Sequence, residues 1–170
     1  MKNLKLSFLI LVFANLPTLH AQSDFEVRIT QTAYVEDYNN LAEYIGNENV
    51  TIHQNKIGFS KRLGNKMVLL FNFTADRVRN SDGRTYYNVK RKGHVVFADV
   101  NRVYENGERI ILEMNSNGYS NQVQVPGENW TEIITNRSDF SITVKDDIKR
   151  KEVLRIMNYL RRYPVYRVKN

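Results

Sequence analysis

The residue pattern predicts a mainly β protein: an antiparallel meander forming a barrel or strongly curled sheet, followed by a C-terminal α-helix. Short extended runs of β-type residues follow one another. Gly, Asn and Asp turns separate them at close intervals. The last segment changes to apolar residues at helical spacing.

Residues 1–21 have the form of a secretory signal peptide. Lys2 and Lys5 precede an apolar run from Leu6 to Ala14, Pro17 breaks it, and Ala21 is a small residue at the expected cut. The run is too short to span about 30 Å of hydrocarbon, so no transmembrane segment is expected after cleavage. Residues 22–170 then form a single β-rich domain. Phe25, Val27, Ile29 and Ala33 alternate with Glu26, Arg28, Thr30 and Thr32, which predicts a strand. Glu36 to Ile45 carries Tyr38, Leu41, Ala42 and Ile45 on one side and predicts a short helix ended by Gly46.

From position 50 onward, turn residues punctuate extended runs. The runs Ile57–Phe59, Met67–Phe73, Tyr86–Val89, His94–Val100, Arg109–Leu112, Gln122–Val125, Glu132–Ile134 and Asp139–Val144 read as strands. Turns are expected at Gly64-Asn65, Asn80–Gly83, Lys92-Gly93, Asn106-Gly107 and Asn117-Gly118. Asn-Gly is the strongest of these, because it tolerates the positive backbone angles of a two-residue hairpin turn. Phe140, Ile142 and Val144 point to one face. The helix is expected over about 145–162. Thr143 and Asp146 resemble a capping box, Val153, Ile156, Met157 and Leu160 form one apolar face, and Arg161 and Arg162 sit at the negative end of the dipole. Val165–Val168 could add a last short strand.

Tight turns impose antiparallel pairing, and a sheet of nine or ten strands tends to curl or close, which removes exposed edges. The plan over residues 50–168 is similar in topology to the lipocalin-like barrel, where a short strand can follow the helix, and to the pleckstrin-homology-like barrel, whose helix closes one end. Lipocalins usually carry a Gly-x-Trp motif near the start of the barrel, whereas Trp130 is late in this chain. The resemblance concerns topology and transfers no site residues.

Composition narrows the functions further. The 170-residue chain is 42% hydrophobic and 25% charged, which fits a folded domain and excludes a disordered or collagen-like chain. It contains no cysteine, so disulfides, thiol nucleophiles and thiolate-bound metals are excluded. An exported domain without cysteine suggests a bacterial periplasmic or secreted protein. Four Asn-x-Ser/Thr matches, at Asn49, Asn72, Asn129 and Asn136, read as accidents of an Asn-rich chain. The full chain has a net charge of +7; loss of the signal removes two of its 25 basic residues and no acid, leaving +5. Residues 22–49 hold six acids against Arg28 alone, and the rest of the domain is basic. Internal charge complementarity accounts for that asymmetry without any partner.

Catalytic chemistry is hard to assemble from this sequence. Only His53 and His94 remain after the signal, each isolated, and no spacing suggests a metal site. There is no G-x-S-x-G elbow, no P-loop and no G-x-G-x-x-G. Asn80–Gly83 and Asn115–Gly118 lack the distal Glu of a calcium loop. No catalytic residue, metal or cofactor is therefore expected. Export and the absence of nucleic-acid-binding motifs argue against nucleic acid.

Two binding surfaces stand out. Lys151, Arg155 and Arg162 lie opposite the apolar stripe of the terminal helix and would suit an anionic lipid or polysaccharide, although a solvated helix face needs no partner. Tyr86, Tyr87 and Trp130 are candidate ligand or surface aromatics, set against ordinary cross-strand packing. The expected function is an exported, non-catalytic binding protein for a small apolar ligand or an anionic envelope component. The alternative is an interaction or assembly subunit of a bacterial cell-envelope complex, and a hydrolase with an unrecognised site ranks third.

Overall fold

The computed structural model describes residues 24–79, 83–115, 118–132 and 139–166. The signal-like segment 1–21 and residues 133–134 and 167–168 of two expected strands lie outside these. Helix α1 spans Asp24–Asn40 and is followed by a 3-10 turn at Ala42–Tyr44. Eight strands follow among the described residues: β1 (Val50–Ser60), β2 (Lys66–Arg79), β3 (Thr85–Val96), β4 (Val100–Asn106), β5 (Arg109–Met114), β6 (Tyr119–Gln124), β7 (Thr131–Glu132) and β8 (Asp139–Thr143). Helix α2 spans Asp147–Arg162.

All the pairings are antiparallel, and they divide the strands between two sheets. One has the order β1-β2-β3-β6-β7 and the other β4-β5-β8. The chain therefore leaves a simple meander: it crosses between the sheets after β3, β5 and β7. Among the described strands no ladder joins the two sheets. They meet through side chains, with Phe71 of β2 stacked on Phe140 of β8 at 4.9 Å between ring centroids.

The segment 25–33 is helical, not extended as its alternation predicts. The buried positions Gln31, Val35 and Tyr38 recur at helical spacing, while Ile29, expected inward, is 56% exposed. Thr and β-branched residues favour strands locally, yet here docking decides. Tyr34 stacks on Tyr159 of α2 at 4.0 Å, and Gln31 Nε2 donates to the Tyr163 carbonyl at 2.6 Å. The misplaced hydroxyls are satisfied within the helix, where Thr30 donates to the Glu26 carbonyl and Thr32 to that of Arg28. The helix expected over 36–45 survives as the end of α1 and the 3-10 turn.

Lys92-Gly93 is not a turn. β3 runs straight through it, because Gly93 provides the space over which the Phe71 ring lies: a Cβ there would sit 2.6 Å from Phe71 Cζ. The run His94–Val100 is instead broken by a 3-10 turn at Phe97–Asp99, where the chain changes sheet. The Asn106-Gly107 hairpin joins β4 to β5 as expected, with Gly107 at φ 60°. Of the expected strand 165–168, the described part makes a single bridge from Val165 to Lys66.

Helix α2 starts within a residue or two of the expected boundary, but the Thr143–Asp146 capping box does not form: Thr143 ends β8 and Asp146 is itself the N-cap. Asp146 Oδ1 accepts the Lys149 backbone N–H at 2.9 Å, and Val153, Ile156, Met157 and Leu160 are fully buried. They meet Ile110 and Leu112 of β5 and Tyr38 of α1 in one core. Arg150 is drawn inward as well: it reaches Glu105 of β4 at 2.7 Å, Asp147 at 2.6 Å, and the carbonyls of Val144 and Lys145. Neighbouring carboxylates raise its pKa, with the Glu105 hydrogen bond foremost.

Candidate functional site

β1 and β8 are edge strands of different sheets. Along the seam between them lies a cleft of about 230 Å³. The side chains at this seam are large and apolar because each sheet turns an alternating apolar face toward the other. Ile52, Phe71 and Phe73 come from the first sheet, Phe140 and Ile142 from the second, and Ile45 from the turn after α1. Phe71 lies 6.0 Å from Phe73 and 5.9 Å from Tyr119, so the aromatic wall is continuous. One end of the seam is tied by the Gly46 N–H to Thr143 carbonyl bond, 2.8 Å, and by the bridge between Ile45 and Val144.

Polar groups share the lining about equally with these apolar walls, Asn47 among them. Asn55 is held by the Tyr38 hydroxyl, which donates to its Oδ1 at 2.6 Å, and burial pushes the Tyr38 phenol far above its ordinary pKa. Gln54, Ser141 and Thr143 add neutral hydrogen-bonding groups. Arg109, exposed at the start of β5, is the single charged residue among the described residues lining this cleft. Polar groups set beside apolar walls can orient a small molecule.

The residues singled out from the sequence are not gathered at this cleft. Lys151, Arg155 and Arg162 are all exposed on α2. Two of them are engaged internally, Lys151 with Asp147 at 2.7 Å and Arg155 with the Tyr34 hydroxyl at 2.7 Å. Tyr86 and Tyr87 take opposite faces of the β2–β3 ribbon, with Tyr86 half-buried and Tyr87 61% exposed. Trp130 precedes β7, half-buried, with Lys92 Nζ 4.0 Å above its ring centre.

His53 Nε2 is hydrogen-bonded to Thr74 Oγ1 at 2.8 Å, and the pKa of half-buried His94 is lowered by burial. No group of three or more His, Asp or Glu among the described residues is placed to hold a metal. No helix of the described residues is long and apolar enough to cross a membrane.

The sequence marked Phe140 and Ile142 as inward-facing but missed the cleft they help to form. Their alternation identifies a buried face, while the partner of that face is fixed only by the crossings between sheets. No family model, curated protein or solved structure matches the chain.

Proposed function

We propose that this is an exported, non-catalytic binding protein, and that its ligand is a small apolar molecule held in the seam between the two sheets. The observation carrying this is the cleft itself, an open space walled by six large apolar side chains. Water there covers apolar area whose removal is worth roughly 25 cal/mol per Å². A ligand matching the walls would gain that amount, while Asn55 and Gln54 would fix its orientation. On this view the two sheets act together as a strongly curled, incompletely closed barrel, with the ligand seated at the opening.

The test is a titration of the full domain with N-phenyl-1-naphthylamine, a neutral apolar dye that fluoresces when taken out of water. Wild type should bind it saturably at one site. Phe73→Lys, at a half-buried position on the cleft wall, should weaken binding at least tenfold while the circular-dichroism spectrum and melting temperature stay close to wild type. Ile52→Lys is the second variant, should Phe73→Lys fail to fold. Non-saturable uptake by wild type, or undiminished binding by a folded variant, overturns the proposal.

A further inference from the structure

We propose that the cleft selects amphipathic carboxylates, with Arg109 as the anchor for the carboxylate head; this rests on the cleft being the ligand site. Arg109 sits opposite Thr143 in the β5–β8 register, at the border of the apolar walls. Its guanidinium makes no hydrogen bond or ion pair with any described residue, in contrast to Arg150 and Arg155, which are tied to Glu105 and Tyr34. It therefore presents its donors to solvent at the mouth of an apolar space. A planar guanidinium matches a carboxylate through two parallel, charge-assisted hydrogen bonds.

The surroundings orient such a ligand. No acidic residue is found among the described residues lining the cleft, so nothing there repels an anion or neutralises Arg109. The adjoining depression, which shares Ile45 and Ile52 with the cleft, is bordered by Glu43, Glu48 and Asp146 against Lys145. Lys145 is already within 3.7 Å of Glu48. This acidic side disfavours an anionic head, and Arg109 attracts it. The apolar tail would then lie against Ile52, Phe73 and Phe140. A space of about 230 Å³ is larger than the roughly 150 Å³ apolar cavity that admits benzene, which suits a medium-length alkyl chain.

The experiment is competition against N-phenyl-1-naphthylamine by octanoate and by 1-octanol, which have eight carbons each and differ in head charge. Wild type should prefer octanoate by about tenfold, the scale of one charge-assisted contact. Raising the salt concentration should narrow the preference. Arg109→Gln should abolish it by weakening octanoate far more than octanol, and Arg109→Lys should restore part of it. If the dye binds but octanoate and octanol compete equally, or neither competes, or Arg109→Gln keeps the preference, the carboxylate anchor is overturned and the apolar cleft stands. If the dye itself fails to bind, the cleft falls as well.

Discussion

Tyr38 shows how much one side chain connects. It is fully buried on α1 and donates its hydroxyl to Asn55, a residue of β1 that also lines the cleft. Tyr38→Phe leaves Asn55 without that donor and should cost about 1 kcal/mol in urea unfolding. Burial raises the phenol well above its ordinary value of 10.0. The native state thus holds this proton more tightly than the unfolded chain does. The stabilisation is complete below pH 10 and erodes as pH rises past it, when the unfolded chain releases the proton. Tyr38→Phe should accordingly lose stability less steeply than wild type above pH 10, measured as melting temperature against pH. The burial of Tyr38 was legible in the sequence from its place beside Leu41 and Ile45. Its partner Asn55 was not, because a polar residue in a strand carries no sign of what lies opposite. Nothing in the sequence sets Arg150 apart from the other cations of α2, and only the approach of β4 with Glu105 accounts for its burial.

Among the elements, α2 was the most legible, since period and terminal charges agree and its apolar face is the core face, although its N-cap is Asp146 and not Thr143. β3 shows the opposite. Lys-Gly reads as a turn locally, yet the glycine is used for close approach within a continuous strand. A Cβ at Gly93 would overlap the Ser120 carbonyl oxygen of β6 and press on Phe71. Gly93→Ala should therefore destabilise by roughly 1–3 kcal/mol despite alanine's better fit to an extended backbone. Denaturant unfolding checks this, and a neutral result would mean that β6 yields easily. α1 fails for a related reason. Its Thr, Val and Ile content favours a strand, and the stack of Tyr34 on Tyr159 supplies tertiary stabilisation that no local pattern records.

Across the whole molecule, stability is unevenly spread. β1 pairs with β2 only as far as Val50 and Ala75, and β6 pairs with β3 only from Lys90 onward. Beyond those points Arg77–Arg79 and Thr85–Tyr87 pair with each other alone, as a two-stranded ribbon. Such a ribbon opens without disturbing the core. Hydrogen exchange should find these amides exchanging orders of magnitude faster than those of Leu69 and Val95, which lie in the middle of the sheet. Protection of the ribbon equal to theirs would show that another surface covers it.

The sequence by itself determined the mainly β character, the antiparallel pairing, the Asn106-Gly107 hairpin and the terminal helix with its buried face. Each of these follows from turn chemistry, side-chain alternation or helical period within a few residues. Only the tertiary structure decided that α1 is a helix, that the strands divide between two sheets, and that Arg109 meets an apolar cleft at the seam. Those outcomes depend on which faces meet after the chain has crossed between sheets. Contacts between residues far apart in sequence fix that choice, and no local pattern encodes it.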